Sequence, residues 1–232
     1  MLNDNSITTD GLIVAIDGPS GAGKSTLSKL LAQRLGYTNI NTGAMFRAVA
    51  LAIKRSGISL DDHLAIEQLC NQLHIHFKND AGVETVWLGD EDVSRLIRGS
   101  KISMLTSEIS ALPVVRKSML ELQRKMAAHG GVVLEGRDIG SVVFPDAQVK
   151  FFLCASAQAR GLRRHEELIG RGELSDLEQT IAEVQQRDAA DSSRKLAPLI
   201  QAADAIPIDS TSMSIEQVLE QMLQVIAQRR QK

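Results

Sequence analysis

The sequence predicts an α/β fold in which a doubly wound parallel sheet is flanked by helices, and two observations support this. Strand-length apolar runs, such as residues 12–16 and 132–134, alternate with segments whose apolar residues recur at helical spacing. The first run leads directly into the spacing G-x-x-x-x-G-K-S over residues 18–25, which indicates a phosphate-binding loop when it joins a strand to a helix. The alternation contains no repeat or low-complexity linker, so we expect a single domain over residues 11–232.

The N-terminal elements follow this alternation. The helix after the loop is expected to end at Gly36, because glycine favours the left-handed backbone that terminates helices. A short strand over residues 38–40 and a helix that ends near Gly57 come next. Ser59 and Asp62 have the spacing of a capping box, which predicts that a third helix begins there.

A β-rich insert of about residues 74–98 follows the third helix. Short β-like runs are separated by turn-forming residues, which predicts a small antiparallel sheet. The runs cover residues 74–78, 84–88 and 91–93, with turns at 79–82 and 89–90. We expect Trp87 to pack this sheet onto its neighbouring helix rather than to stack on a base.

The C-terminal half returns to alternating helices and strands, and it contains a segment with the features of a helical lid. In that segment glycines flank Arg171, and such glycines allow a turn to move. In chain order the predicted elements are a helix from Pro113, strands over 132–134 and 149–154, a helix and lid over 160–176, a helix over 177–191, a strand over 205–208, and a helix with Ser214 and Gln217 as its capping box.

The composition excludes several classes of function. Of 232 residues, 44% are apolar and the net charge is −2, so there is no overall basic field to bind a nucleic acid polymer or an acidic membrane. Cys70 and Cys154 lie outside any C-x-x-C pair, and we expect buried, reduced thiols. Residues 1–10 are polar and no apolar run is long enough to span a bilayer, so the expectation is a cytoplasmic protein, and a monomer because no heptad seam is present.

The phosphate-binding loop predicts a nucleoside triphosphate and Mg²⁺ as ligands. Its glycines permit backbone angles at which consecutive N–H groups converge on phosphates, whereas a glycine-rich turn without a ligand is the alternative. Lys24 is expected to reach the β- and γ-phosphates and Ser25 to ligate Mg²⁺. Asp17 either helps to hold the hydration shell of Mg²⁺ or only terminates the strand, and the second interpretation is favoured. The predicted nucleotide-binding residues are Gly18, Pro19, Ser20, Gly21, Ala22, Gly23, Lys24, Ser25 and Thr26.

Scattered arginines favour a phosphotransferase over a guanine-nucleotide switch, which would carry an N-K-x-D motif that this chain lacks. A guanidinium is permanently charged and its planar fork matches phosphate oxygens, so several arginines together can hold two phosphates and offset charge in a transition state. Taken singly, each is more often a solvated surface charge. The arginines at predicted loops and helix ends are Arg47, Arg116, Arg137, Arg163, Arg164, Arg171, Arg187 and Arg194.

Several motifs resemble those of the bacterial cytidylate kinases, which are nucleoside monophosphate kinases with a P-loop kinase fold. The resemblance runs from about residue 12 to the C-terminal helix, and the segments E-G-R-D-I-G and R-D-x-x-D-x-x-R are more specific than the loop. An adenylate kinase would carry D-G-F-P-R at the comparable strand end. The matching segments are I-D-G-P-S-G-A-G-K-S-T, N-T-G-A-M-F-R, E-G-R-D-I-G-S-V-V-F-P-D-A, Q-R-D-A-A-D-S-S-R and A-P-L-I-Q-A-A-D-A.

The resemblance implies transfer of the γ-phosphoryl group of Mg·ATP to CMP or dCMP, with residues 37–112 forming the monophosphate-binding region. A UMP-preferring or metabolite kinase, and less readily a nucleotide-dependent switch, remain alternatives. The implied substrate residues are Ser107, Arg116 and Asp138 for the base, Arg47, Arg137 and Arg194 for the phosphate, Arg187 and Asp191 for the ribose, and Thr42 for a hydroxyl contact. The implied catalytic residues are Lys24, Arg137, Arg163 and Arg194, with Arg164 and Arg171 also in the lid.

The sequence leaves structural interpretations open for some of these residues. Arg187 and Asp191 lie four apart on a predicted helix and could form a surface ion pair. Asp138 could cap a turn, and Ser107 could be an ordinary hydroxyl on a helix face. The family segment D-S-G is N-T-G here, so a carboxylate is replaced by the amide of Asn41.

Overall fold

The computed structural model describes residues 11–80 and 83–230, and it has the predicted doubly wound α/β architecture. Residues 1–10, expected to be a polar start, and residues 81–82 of a predicted turn lie outside the described residues. The strands are β1 Ile13–Asp17, β2 Thr38–Asn41, β3 Ile75–Asp80, β4 Val83–Leu88, β5 Glu91–Asp92, β6 Val132–Gly136, β7 Val149–Cys154 and β8 Ile206–Asp209. The α-helices are α1 Lys24–Leu35, α2 Thr42–Ser56, α3 His63–Gln72, α4 Ser100–Ile109, α5 Pro113–Met126, α6 Ala157–Gly170, α7 Leu177–Ser192 and α8 Ile215–Arg230.

The main sheet has five parallel strands in the order β2-β6-β1-β7-β8. The central strand β1 pairs with β6 and β7, and its last residue, Asp17, lies opposite Gly136 of β6. Because all strands run the same way, their carboxyl ends form one edge of the sheet, where ligand sites of open α/β sheets occur. The phosphate-binding loop after β1 and the E-G-R-D segment at the end of β6 are therefore neighbours.

Apolar side chains on the two faces of the sheet form two separate cores. On β1, Ala15 belongs to the core beneath α2 to α5, whereas Val14 and Ile16 belong to the core beneath α1 and α8. This follows from the alternation of side chains along a strand. A central strand that is buried on both faces explains why its sequence is a continuous apolar run.

The insert is a separate antiparallel sheet in the order β3-β4-β5, as predicted, but the expectation for Trp87 is wrong. Ile75 and Val86 face the core, and the next residue of β4, Trp87, lies on the opposite face. There its ring stacks on His76 at 6.1 Å between centroids, and the Lys78 ammonium lies 3.4 Å from the ring centre. The pairing of Ile75 with Leu88 fixes this register, so packing against the helix falls to Val86.

The sequence predicted capping boxes at the starts of α8 and α3, and only the one at α8 is present. At α8, the Ser214 N–H donates to Gln217 Oε1 at 2.8 Å and the Gln217 N–H donates to Ser214 Oγ at 3.3 Å, which is the predicted capping box. At α3, the predicted start at Ser59 is wrong, because Asp62 is the N-cap and its carboxylate accepts from the Ala65 N–H at 3.0 Å. Neither α4 nor the π-helical turn over Ile139–Val143 was among the elements predicted from the sequence, although Ser107 of α4 was considered as a residue on a helix face.

Two further findings concern the thiols and the membrane. Cys70 is buried as expected, whereas Cys154 at the end of β7 is only half-buried. Across the described part of the chain, none of the helices combines the length and the apolar character that crossing a bilayer requires.

Helices α6 and α7 approach closely at Gly161, which gives a test of this packing. A Cβ on Gly161 would lie 2.3 Å from Ile181 Cγ1 and 3.0 Å from its Cα, so Gly161→Ala forces the helices apart. We expect a loss of about 1–3 kcal/mol of unfolding free energy, measured by urea denaturation. Gly170→Ala is the matched control, because Gly170 ends the same helix with open space around it, and it is expected to be neutral or slightly stabilising. Equal effects of the two substitutions would contradict close packing at Gly161.

Candidate active site

A cavity of about 750 Å³ opens at the carboxyl edge of the main sheet. It is bounded by the phosphate-binding loop, the first turns of α2, helices α4 to α7, the end of β6, and the segment after β8 with the start of α8. All the residues that the sequence assigned to the acceptor substrate line this one cavity. They are Thr42, Arg47, Ser107, Arg116, Arg137, Asp138, Arg187, Asp191 and Arg194.

The phosphate-binding loop forms one end of the cavity, where residues 20–26 line it. Gly18 has φ +146°, and a Cβ there would lie 2.0 Å from the Leu153 carbonyl oxygen, so the close approach of loop and β7 requires glycine. The Lys24 ammonium is buried and donates to the Pro19 carbonyl at 2.7 Å. Burial lowers the pKa of Lys24 well below its ordinary value, and the nearby charge of Arg137 lowers it further.

Ser25 and Glu135 place two oxygen groups together beside the loop. The Ser25 hydroxyl donates to Oε1 of Glu135, a carboxylate that is 4% exposed. A hydroxyl and a carboxylate are ligands that Mg²⁺ prefers, so this pair fits the predicted metal. Sequence reasoning assigned Ser25 but missed Glu135, although Glu135 lies on the strand next to the loop and opposite Ile16.

Asp17 binds backbone amides on the neighbouring segment. Its Oδ1 accepts from the Ile139 N–H at 2.8 Å and its Oδ2 accepts from the Gly140 N–H at 2.7 Å. Burial raises the pKa of this carboxyl to about 6, against the opposing effect of the two hydrogen bonds. Both oxygens are thus engaged in fixing the chain after β6, which fits the strand-terminating interpretation better than a role in metal hydration.

Four arginines of the cavity, Arg47, Arg137, Arg187 and Arg194, affect one another's charge, and Asp191 pairs with two of them. Asp191, which is 2% exposed, accepts from Arg137 Nε at 2.9 Å and also from Arg194. Burial alone would raise the pKa of Asp191, but the charges of Arg137 and Arg194 outweigh it and hold the pKa below its ordinary value. The possible ion pair between Arg187 and Asp191 is not among the ion pairs of the described residues, because the carboxylate faces Arg137 and Arg194 instead.

The other two arginines of this group keep unused donors. The Nε atoms of Arg47 and Arg187 are shielded from solvent and have no hydrogen-bond partner among the described residues. Burial, followed by the charge of Arg137, lowers the pKa of Arg187 to about 10. Burial also lowers the pKa of Arg47. Buried donors without partners cost stability, so this part of the cavity is suited to an anion that supplies acceptors.

A third group of residues lies toward α4 and α5. Arg116 donates to Asp138 Oδ2 at 2.6 Å and to the Ser110 carbonyl at 3.3 Å, and its guanidinium lies 5.7 Å from the centre of the Phe46 ring. Burial raises the pKa of Asp138, and the charge of Arg116 opposes the shift. Ser107 lines the cavity nearby from α4. Phe46 was missed because a single aromatic residue in an apolar helix looks like an ordinary core residue.

The arginines that the sequence assigned to a lid line the cavity and are held by protein groups. Arg163 donates to the Ser210 carbonyl at 2.6 Å and to the Ser210 hydroxyl at 3.2 Å. Arg164 pairs with Glu167 at 2.7 Å, and Arg171 pairs with the same carboxylate. Ser210 and Glu167 therefore bind the arginines that the sequence assigns to the phosphates of ATP.

Arg160 is a connecting residue that the sequence did not single out. It donates to the Ser20 carbonyl in the loop at 3.1 Å and pairs with Asp188 of α7 at 2.5 Å. Its side chain therefore joins the lid helix to both the loop and the helix that carries Arg187. Only the spacing R-x-x-R-R in α6 could have drawn attention to it.

The N-T-G segment keeps its structural function despite the departure from the family pattern. Asn41 Oδ1 accepts from the Ala44 N–H at 2.8 Å and caps α2, a task that an amide oxygen performs as well as a carboxylate. The Thr42 hydroxyl donates its hydrogen to the Glu135 carbonyl at 2.7 Å. Because Thr42 lines the cavity, the lone pairs of this oxygen can still accept a hydrogen bond.

Comparison with known proteins agrees with this geometry. A sequence model described as cytidylate kinase matches residues 14–228. A protein named cytidylate kinase from Syntrophotalea carbinolica is 60% identical over 220 residues, which is 95% of this chain and 94% of that protein. Another of the same name from Geobacter sp. strain M21 is 59% identical over 223 residues, which is 96% of each chain.

A solved structure shows a likeness of fold alone. An uncharacterized protein from Eubacterium ventriosum aligns with a TM-score of 0.50 at 12% identity, covering 93% of this chain and 98% of that one. The family match and the two relatives cover nearly the whole chain, including the loop, the E-G-R-D segment and the arginines of α6 and α7. The chain therefore belongs to the cytidylate kinase family.

Proposed function

We propose that this enzyme transfers the γ-phosphoryl group of Mg·ATP to CMP or dCMP and releases ADP with CDP or dCDP. The observation that carries the proposal is one cavity that joins a phosphate-binding loop to a cluster of four arginines, of which Arg137 and Arg194 pair with Asp191. Two phosphate-bearing ligands meeting head to head would fill these two regions. Residues 37–112 would then form the monophosphate-binding region and residues 160–176 the lid.

The excess positive charge supports an acceptor that is itself a phosphate ester. The shielded Nε atoms of Arg47 and Arg187 have no hydrogen-bond partner in the part of the chain that the structure describes, and a sugar hydroxyl would not compensate two such cations. A monophosphate dianion would accept from both and from Arg137 and Arg194. This favours a nucleotide acceptor over a phosphate-free metabolite.

The Asp138 and Arg116 pair supports cytosine as the base. A carboxylate oxygen accepts from the exocyclic amine of cytosine, whereas uracil would direct a carbonyl oxygen at the same carboxylate. Arg116 can donate to the ring nitrogen and carbonyl of cytosine. A site built around such a hydrogen bond rejects the analogue that lacks it, which is the basis for preferring CMP to UMP.

At the donor end, the α1 N-terminus and Lys24 would hold the ATP phosphates, and Ser25 with Glu135 would hold Mg²⁺. When bound, Mg²⁺ neutralises charge on the β- and γ-phosphates and orients them. The attacking phosphate oxygen is already an anion near neutral pH, so no general base is required. Lys24, Arg137, Arg163 and Arg194 would stabilise the charge of an in-line transfer.

Closure of the lid would exclude water, which otherwise competes as the acceptor. Arg163, Arg164 and Arg171 would exchange their present partners, Ser210 and Glu167, for ATP phosphates. One chain supplies every group named here, so a monomer suffices. Its partners would be cytoplasmic nucleotides rather than a polymer or a membrane.

The proposal is tested by coupled ADP release with Mg·ATP against CMP, dCMP, UMP, AMP, GMP and shikimate. We expect kcat/KM to be highest for CMP or dCMP, because cytosine presents an exocyclic amine to Asp138 where uracil presents a carbonyl, and also offers its ring nitrogen and carbonyl to Arg116. A preference for UMP, AMP or shikimate would overturn it. Slow hydrolysis that no acceptor accelerates would instead indicate a nucleotide-dependent switch.

A second test concerns the base. Asp138→Ala removes the carboxylate that accepts from cytosine, and we expect kcat/KM for CMP to fall by about 10²-fold or more while that for UMP changes little. Asp61→Ala, at an exposed aspartate before α3, is the control and should leave both values unchanged. Equal losses for CMP and UMP would show that Asp138 does not contact the base.

A third test concerns Arg187. Arg187→Met removes a guanidinium whose shielded Nε has no hydrogen-bond partner among the described residues, so we expect the ligand-free protein to gain up to about 1 kcal/mol of stability in thermal unfolding. The rise in melting temperature on adding CMP should shrink strongly in this variant. Arg34→Met, at an exposed arginine of α1, should alter neither quantity. An unchanged CMP effect in Arg187→Met would exclude Arg187 from the acceptor site.

A further inference from the structure

Asp17 links the two halves of the cavity although none of the assigned roles includes it. It is the last residue of β1, directly before the phosphate-binding loop, and it is 4% exposed. Its carboxylate reaches across to the segment after β6, where it accepts from the amides of Ile139 and Gly140 at 2.8 and 2.7 Å. The Asp17 side chain therefore connects the start of the phosphate-binding loop to the segment that follows β6.

These two amides open the π-helical turn Ile139–Val143, and the first N–H groups of any helical turn have no partner within the turn. Asp138 stands at the N-cap position, where an aspartate ordinarily binds such amides with its own carboxylate. Here Asp138 makes no side-chain capping bond, and its carboxylate pairs with Arg116 instead. Asp17 supplies the cap from a different strand.

Steric contacts on both sides also confine the turn, in addition to the cap from Asp17. A Cβ on Gly136 would lie 2.6 Å from Ile139 Cδ1, and one on Gly140 would lie 3.1 Å from Lys150 Cδ and 3.4 Å from Asp17 Oδ2. Ile139 and Gly140, the first two residues of the turn, therefore have little room to move. Two amides bound by two oxygens of one carboxylate require both oxygens to be acceptors, which the ionised form provides.

We propose that Asp17 is a positioning residue for base recognition, because it caps the turn in place of Asp138 and so leaves the Asp138 carboxylate available to the base. This inference rests on the proposed function. Among the described residues, Asp17 forms no hydrogen bond or ion pair with Arg116, and it acts through the turn that Asp138 precedes.

Asp17→Asn tests the inference. The amide keeps the size of the side chain but turns an NH₂ group toward one of the two backbone N–H groups, so one cap is lost and Asp138 is drawn back to its own turn. We expect the ratio of kcat/KM for CMP to kcat/KM for UMP to fall by about tenfold, with KM for ATP unchanged. Asp62→Asn is the matched control, since asparagine caps α3 as well as aspartate does and the ratio should be unaffected.

A second variant, Asp17→Glu, keeps the charge and both acceptor oxygens, but its side chain is longer by one methylene and displaces the turn. The ratio of kcat/KM for CMP to kcat/KM for UMP should again fall. An unchanged ratio in the folded variants, whatever their loss of stability, would overturn the inference, as would failure of both variants to fold, since Asp17 would then serve stability alone. If the unsubstituted enzyme does not prefer CMP, the proposed function fails. If it does prefer CMP and both variants retain that preference, only the role of Asp17 fails.

Discussion

The parallel pairing of β1 with β6, with Asp17 opposite Gly136, is the constraint on which the site depends. It places the end of each strand at the same edge, so that the phosphate-binding loop and the E-G-R-D segment begin side by side. The Ser25 contact with Glu135 and the Asp17 contacts with Ile139 and Gly140 both cross this strand pair. A slip in register would separate the donor and acceptor halves while leaving each motif intact in sequence.

Around this framework the protein concentrates positive charge at the expense of its own stability. The pKa of Lys24, of Arg47 and of Arg187 is lowered by burial, which means that the charged forms are disfavoured in the ligand-free cavity. Asp191 offsets part of this charge by bridging Arg137 and Arg194. Ligand phosphates would supply the remaining counter-charge, so binding energy and relief of repulsion act in the same direction.

Much of the fold was predictable from the sequence, because central strands are continuous apolar runs and helix ends carry glycine or capping residues. The features that escaped prediction depend on contacts distant in sequence. The π-helical turn is capped by Asp17 from another strand, Trp87 faces outward because of the β3–β4 register, and Glu135 matters through its contact with Ser25. The arginines of the site stood out at predicted loops and helix ends, but their roles came from the family motifs. Spacing alone would have favoured a pairing of Arg187 with Asp191, which is not among the ion pairs of the described residues.

The shielded Nε atoms of Arg47 and Arg187, which have no hydrogen-bond partner among the described residues, would bind any phosphate monoester, because a guanidinium recognises oxygen atoms and charge rather than a base. All nucleoside monophosphates present the same group, so each could enter this half of the cavity. Discrimination between bases would then fall on Asp138 and Arg116, at the other end of the same ligand. In a mixed nucleotide pool, the phosphate end would attract every monophosphate, and the base end would decide which of them stays bound and is turned over.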